Sequence, residues 1–117
     1  MATKEQVQAK LTELIERLDE ASGGVHESLA EALPDARVIE VHVADIDERF
    51  WTEMADGRLG TVREGRPERA DIRVRLDSDD LVELVEGKTS LFSKYLGGHV
   101  RIDASVSDLL RLRRLAG

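Results

Sequence analysis

The chain has 117 residues, a charged fraction of 35% and a formal net charge of −7 at pH 7. This length suits one domain with an ordinary hydrophobic core, and the excess of carboxylates disfavours nucleic acid as a partner because both would be negatively charged. The sequence has no cysteine, which excludes disulfides, thiolate metal ligands and a cysteine nucleophile.

The first elements along the chain are two predicted helices. Thr3 and Gln6 form a capping box in front of an amphipathic segment, which ends at the "ASGG" break of residues 21–24. The apolar stripe of this first helix consists of Val7, Leu11, Leu14, Ile15 and Leu18. The second, shorter helix runs through Val25, Leu29 and Leu33 and closes at Pro34.

The apolar stripe of the first helix has to be buried somewhere. Its alternating spacing of fours and threes would also suit pairing with a second copy, but the repeat is short for a coiled coil. We therefore expect residues 1–34 to form N-terminal amphipathic helices that pack on a domain of residues 35–117. We also expect a monomer or a weak homodimer.

Beyond Pro34 the apolar residues recur with a period of two, which is typical of strands. The segment "RVIEVHV" places Ile39, Val41 and Val43 on one face, and "RFWTEM", "RLGTVRE" and "IRVRL" follow with a turn at "ADG". Four short strands in succession predict an antiparallel meander.

Two helices, a strand and a last helix complete the predicted order. Asp77 or Ser78 caps "DLVELVE", which Gly87 ends, and "SLFSKYL" is a shorter helix ended by Gly97 and Gly98. "HVRIDA" is a fifth strand, and "SVSDLLRLRRLAG" is a helix with arginines at its C-terminal end. Strands that are apolar on one face bury that face under helices. The predicted class is therefore α+β, with one mainly antiparallel five-stranded sheet covered on one face by helices.

A series of features in the second half of the chain resembles a known family. A Trp-bearing strand, a turn ending in Gly, an Ala-Asp pair, an acidic helix start, a Gly-Lys pair and a further Gly before a closing strand follow in this order. Their positions are Trp51, Gly57, Ala70, Asp71, Asp80, Leu81, Gly87, Lys88 and Gly97. From about residue 36 to 113, the chain resembles the sterol carrier protein 2-like lipid-binding (sterol-binding domain) family. It departs from that pattern at "TS" after the Gly-Lys pair and at "DAS" after the closing strand.

The resemblance implies a tunnel between sheet and helices that holds a fatty acyl chain, a sterol or a similar lipid, with no cofactor and no covalent chemistry. Such a carrier lowers the cost of exposing apolar ligand surface, about 25 cal/mol per Å², by offering a largely preformed apolar cleft. The ligand-binding residues expected from this resemblance are Trp51, Val74, Leu76, Leu84, Phe92, Tyr95, Leu96, Ile102 and Leu109. The alternative is a packed core, in which Gly97 is a helix cap and Trp51 covers a strand edge.

Catalytic and metal-binding patterns are poor. The histidines, His26, His42 and His99, fall on polar positions of their elements, and none has zinc-ligand spacing. The segment "HVADIDE" would present His42, Asp45 and Asp47 as a divalent-cation site or an acid/base pair, but it also reads as a strand that runs into a charged turn. We expect neither catalytic residues nor a metal.

Two other classes stay open. A small enzyme of isomerase or cyclase type would need His42, Asp45, Glu53 or His99 to point into an apolar pocket. A protein-interaction module would have a solid core. The sequence lacks the apolar run of a secretion signal and the about 20 apolar residues that cross a bilayer, so we expect a cytoplasmic protein. The final "LRLRRL" would support at most transient membrane contact.

Overall fold

Helices pack against a six-stranded sheet in the computed structural model, which describes residues 3–20, 31, 35–89 and 91–116. The strands are β1 (Arg37–Val43), β2 (Glu48–Ala55), β3 (Arg58–Leu59), β4 (Arg63–Glu64), β5 (Ile72–Leu76) and β6 (Arg101–Asp103). The helices are α1 (Lys4–Glu20), α2 (Ser78–Val85), α3 (Leu91–Leu96) and α4 (Val106–Ala116), and a 3₁₀ turn (Ala44–Ile46) joins β1 to β2. In this part of the chain no helix is both long and apolar enough to cross a membrane.

The strand order is β3-β2-β1-β5-β6, and β4 also pairs with β2. All pairings are antiparallel except that of β1 with β5, in which Ile39 lies opposite Ile72 and Val43 opposite Leu76. The predicted mainly antiparallel sheet is therefore confirmed, but the predicted four-strand meander is wrong. The short strands β3 and β4 both pair with the edge of β2 that faces away from β1. The other edge of β1 is therefore free for β5, which reaches it after a crossover and runs parallel to β1.

The predicted third strand, "RLGTVRE", is divided into β3 and β4. Gly60 lies at the break, where its N–H donates to the carbonyl oxygen of Glu53 at 2.8 Å, and Val62 packs against the core. The turn of the chain at this point separates the two short strands while both stay paired with β2.

The first helix docks on the sheet through its apolar stripe. Val7 is fully buried and Leu11 is 8% exposed, in one cluster with Val43 and Phe50 of the strands. The predicted capping box is present, since the Thr3 N–H donates to Gln6 Oε1 at 2.9 Å and the Gln6 N–H to Thr3 Oγ1 at 3.2 Å.

Lys4, at the start of α1, forms ion pairs with glutamates of the sheet. Lys4 Nζ lies 3.1 Å from Glu64 and 3.8 Å from Glu48, and the hydrogen bond to Glu64 raises the pKa of Lys4 above its ordinary value. The apolar residues of the predicted second helix lie outside the described residues: Val25, Leu29 and Leu33. The same holds for His26.

The cap of α2 differs from the prediction. Asp77 precedes the helix but makes no side-chain hydrogen bond to it. Instead, Asp45 of the 3₁₀ turn accepts hydrogen bonds from the Ser78 N–H at 2.8 Å and the Ser78 hydroxyl at 2.6 Å. Burial opposes ionisation of Asp45, but the two hydrogen bonds from Ser78 offset this and the pKa of Asp45 lies below its ordinary value.

Glycines end α2 and α3, as predicted. Gly87 has φ +74° and Gly98 has φ +79°, in the left-handed region that favours glycine. The following N–H groups bond back into the helices, from Lys88 to the Glu83 carbonyl at 3.0 Å and from His99 to the Lys94 carbonyl at 2.9 Å. These bonds satisfy carbonyls that the ends of the two helices leave free.

Candidate functional site

Alternation along the strands gives the sheet two faces of opposite character. One face, here called the apolar face, carries two clusters of apolar side chains. The main cluster has Val7, Leu11, Val43, Phe50, Leu76, Leu81, Val85 and Val100 as its buried members. The second has buried Met54 and Ile72, with Ile39, Leu59 and Ala104 packed against them. Val74 and Ile102 are partly buried and contact both clusters, so one apolar layer runs along this face.

An ion pair holds α4 beside the second cluster. Arg37, which lies opposite Met54 in the sheet, donates from Nε to Asp108 Oδ2 at 2.9 Å and from Nη2 to Asp108 Oδ1 at 3.1 Å. The Asp108 N–H in turn donates to Ser105 Oγ at 3.1 Å, which caps the start of the helix. The hydrogen bond from Arg37 lowers the pKa of the buried Asp108 carboxyl below its ordinary value despite the burial.

The short helix α3 is attached to α2 by one lysine. Lys94 Nζ donates to Asp80 Oδ1 at 2.5 Å and to Glu83 Oε2 at 2.6 Å. These bonds, first the one to Asp80, raise the pKa of Lys94 above its ordinary value.

Large apolar side chains on α3 and α4 stay exposed. Tyr95 is 42% and Leu96 69% exposed on α3, and Val106 is 74% and Leu110 54% exposed on α4. The two helices contact each other, and we call these four residues the α3–α4 apolar edge. Apolar surface that is gathered in one place on a small domain often marks a binding surface.

The structure brings part of the predicted ligand-binding set together. Leu76 is buried in the main cluster, Leu84 packs against that cluster, and Val74 and Ile102 bridge both clusters. Tyr95 and Leu96 lie on the α3–α4 apolar edge, and Leu109 is half-buried on α4. The side chain of Phe92 lies outside the described residues.

Trp51 lies on the other face of the sheet. It is opposite Glu40 of β1, whereas its neighbour Phe50 is opposite Val41 and is buried in the main cluster. The guanidinium carbon of Arg63 lies 5.2 Å from the centroid of the Trp51 ring, a cation–π arrangement. Trp51 therefore does not share a face with Val74.

The acid and base candidates of the sequence do not converge. The carboxylate of Asp45 accepts from Ser78, whereas Asp47 Oδ1 lies 3.0 Å from His42 Nε2. That hydrogen bond, with the nearby Arg49 charge, lowers the pKa of Asp47. Among the described residues no group of three His, Cys, Asp or Glu side chains is placed to hold a metal ion.

The remaining candidates also lie away from the apolar layer. Glu53 is opposite Val38, on the face that carries His42, and His99 is exposed after α3. The second face, here called the arginine face, carries Arg73 and Arg75 beside Glu40 and His42. No role was predicted for Arg73 or Arg75 from the sequence. The arginines that alternate in "IRVRL" were the available signal.

A mixed sheet with helices packed over one apolar face is the architecture of an α+β domain. The sequence model of the SCP-2 sterol transfer family matches residues 10–117, and the chain belongs to this family. The match reaches further than the predicted resemblance from about residue 36 to 113, because it includes most of α1. Family membership places the chain among lipid-binding and lipid-transfer domains.

Solved structures share this fold. The palmitated sterol carrier protein 2-like 2 of Aedes aegypti, determined in solution, has a TM-score of 0.62 at 11% identity, over 92% of this chain and 91% of that chain. The ubiquinone synthesis protein UbiJ-SCP2 has a TM-score of 0.62 at 17% identity, over 99% of this chain and 93% of that chain.

An enzyme contains a similar domain. The inverting sec-alkylsulfatase Pisa1 from Pseudomonas sp. has a TM-score of 0.54 at 22% identity over 69% of this chain, and the match spans 13% of the enzyme's own length. At such identities these likenesses concern the fold. A search of curated protein sequences gives no match.

Proposed function

We propose that the protein binds one acyl chain, sterol or similar hydrophobic molecule between the apolar face and the helices, without covalent chemistry. The observation that carries this proposal is the layout of the apolar layer. Two buried clusters are joined through the partly buried Val74 and Ile102, and Ala104, which packs against the second cluster, lies two residues before the exposed Val106 of the α3–α4 apolar edge. We expect a ligand that enters at that edge to contact the second cluster and then Val74 and Ile102.

The physical gain from such binding is the removal of apolar surface from water. Leu96 and Val106 are among the most exposed apolar side chains of the described residues. Covering them and the apolar ligand together yields about 25 cal/mol for each Å² removed from water. The palmitated relative supports a saturated acyl chain as the first ligand to test.

We propose further that the protein is not an enzyme. The groups that would serve as acid or base have other positions: Asp45 caps α2, and His42 and Glu53 lie on the arginine face. The ionisable pair beside the apolar layer is Arg37 with Asp108, which satisfy each other. Buried, mutually paired charges of this kind support a structural role.

The proposed state is a cytoplasmic monomer or weak homodimer that touches a membrane at most transiently. In support, the apolar stripe of α1 is used within the chain, since Val7 and Leu11 are buried in the main cluster. Sedimentation at increasing protein concentration tests this state, and a tight dimer would contradict it.

The experiment that tests lipid binding compares two valines on neighbouring strands. Val43 is fully buried, so enlarging it overpacks the core, and Val43→Phe is expected to cost about 1–3 kcal/mol of stability. Val74 is partly buried between the clusters. Val74→Phe is expected to keep the melting temperature within a few degrees and to weaken binding of a fluorescent fatty acid strongly. Ala104→Leu, at the second cluster, is expected to behave like Val74→Phe.

Native mass spectrometry of gently purified protein would identify a ligand that copurifies. If Val74→Phe is as destabilising as Val43→Phe and the unmodified protein binds no long-chain lipid, the interior is solid. The apolar edge would then serve a protein partner, which is the second candidate function.

A further inference from the structure

The arginine face contains a cleft with a cavity volume of about 460 Å³. Its lining includes five arginines, Arg49, Arg66, Arg73, Arg75 and Arg101, against two carboxylates. The cleft thus has an excess of three positive charges in a chain whose net charge is −7. Such a local concentration of one sign, opposite to that of the whole molecule, attracts small anions.

Glu40 is the carboxylate that lies close to two of the arginines. Glu40 is 5% exposed at the floor of the cleft, 3.6 Å from Arg49 Nε and 3.9 Å from Arg73 Nε. Asp103 lies opposite Arg73 in the β5–β6 register. The buried Arg49 Nε has no hydrogen-bond partner, so this guanidinium is not fully satisfied by Glu40.

The other three arginines are available. Within residues 3–20, 31, 35–89 and 91–116, Arg66, Arg75 and Arg101 form no ion pair. Arg75 and Arg101 are directly opposite each other on antiparallel strands. Like charges in that position repel each other and destabilise a sheet. Unfavourable pairs of like charges inside a cleft are typical of binding sites, because a bound ligand of opposite charge can offset the repulsion.

We propose that this cleft binds a small, multiply charged phosphate compound whose phosphoryl oxygens bridge Arg75 and Arg101, with Arg66 reaching over from the loop before β5. Guanidinium groups bind phosphate through paired hydrogen bonds, and a ligand with three negative charges would balance the excess of the cleft. The cavity volume lies in the usual range for small-molecule sites.

The strand arginines of the cleft lie on the face of the sheet opposite to the proposed lipid site. Val74 and Ile102 line the cleft and also contact both apolar clusters, so these two residues are shared by the two proposed sites. The inference does not depend on the lipid proposal.

Titration calorimetry with inorganic pyrophosphate at low salt tests the site. The unmodified protein is expected to bind pyrophosphate, and Arg75→Gln combined with Arg101→Gln is expected to weaken binding at least tenfold. The control removes the same charge elsewhere, by Arg69→Gln with Lys88→Gln, whose side chains are 82% and 68% exposed. An equal loss in the control would overturn the proposal, because general attraction and not the cleft would then explain binding.

Thermal unfolding gives a second readout that a merely structural role would not produce. Arg101→Gln alone is expected to raise the melting temperature of the ligand-free protein, because it removes the repulsion with Arg75. Pyrophosphate is expected to raise the melting temperature of the unmodified protein and to have little effect on this variant. A lower melting temperature in ligand-free Arg101→Gln would contradict the repulsion argument.

The source of the phosphate group is decided by a parallel assay with phosphatidylcholine vesicles that contain phosphatidic acid. If pyrophosphate binds and the vesicles do not, the ligand is a free phosphate compound. If the vesicles bind through Arg75 and Arg101 and pyrophosphate releases them, the ligand is a lipid headgroup. If neither probe binds, the proposal is wrong.

Discussion

The apolar face and the arginine face are built from the same strands but differ in how their side chains interact with their neighbours. On the apolar face, Val43 and Leu76 are opposite each other and fully or nearly fully buried. On the other face, Glu40 is just as buried, yet it is charged and lies among arginines. The two faces therefore do not differ in whether they contain buried residues. They differ in whether neighbouring side chains attract or repel each other. Apolar neighbours attract each other by contact, whereas Arg75 beside Arg101 needs a further partner.

The largest difference between the faces is expected from two adjacent aromatic residues. Phe50 is 1% exposed in the main cluster, and Phe50→Ala is expected to cost about 3–5 kcal/mol of unfolding free energy through cavity formation. Trp51, next to it, covers the other face and stacks with Arg63. Trp51→Ala is expected to cost only about 1 kcal/mol, because a partly exposed cation–π contact is worth little more.

Urea denaturation of the two variants measures both free energies. Equal losses would show that Trp51 has a core role and that the two faces are not energetically distinct. The same pair gives a ligand test, since Trp51 is the sole tryptophan of the chain and lies away from the apolar layer. Lipid binding on the apolar face is expected to leave its fluorescence nearly unchanged.

The adjacent aromatics Phe50 and Trp51 also show which part of the site could be predicted from the sequence. In a strand, Phe50 and Trp51 must point to opposite faces, so the period of two already allowed only one of them beneath the helices. The family resemblance selected Trp51, and the structure places Phe50 there. Local alternation was thus a better guide to orientation than the order of motifs.

Features that depend on distant partners were not predictable in this way. The strand β1 was predicted with its observed bounds, and the mainly antiparallel α+β class was correct. The parallel pairing of β1 with β5, however, is set by which strand edge is left free. This pairing places Arg73 opposite Glu40, and the pairing of β5 with β6 brings Arg75 and Arg101 together. No pattern within "IRVRL" or "HVRIDA" states which strands will be neighbours.

An intermediate effect is expected at the edge of the apolar face, where Arg37 and Asp108 are 71 residues apart in sequence. Asp108→Asn is expected to cost about 1–3 kcal/mol at neutral pH, because it weakens charge-assisted hydrogen bonds in a buried place. The pKa of Asp108 is lower in the folded protein than the ordinary 3.8. Its contribution is therefore present above the unfolded-state pKa and is lost as the pH falls through the lower folded-state value.

The measurement is the free energy of unfolding of both proteins from pH 7 to strongly acidic pH. The difference between them is expected to stay constant down to about pH 4 and to shrink below it. Subtraction removes the common contributions of Asp45, Asp47 and Glu86, whose pKa values are also lowered. A difference that does not depend on acid pH would mean that α4 is held by packing and not by this ion pair.

The smallest effect is expected in the turn between β1 and β2, where two aspartates are divided between the faces. Asp45 turns toward α2 and accepts from the backbone and hydroxyl of Ser78, whereas Asp47, 81% exposed, turns toward His42. Asp45→Ala is expected to cost about 1 kcal/mol of stability, the usual value of a helix N-cap, although the accepting carboxylate here belongs to another element. Asp47→Asn keeps a residue that tolerates the positive φ of 47° and is expected to leave stability unchanged within error, because exposed ion pairs contribute little.

Asp77→Ala is the matched control on the helix itself, since Asp77 makes no capping hydrogen bond. Chemical denaturation of the three variants ranks them. A loss of stability for Asp77→Ala as large as that for Asp45→Ala would show that Asp77, one of the two caps predicted from the sequence, stabilises the helix.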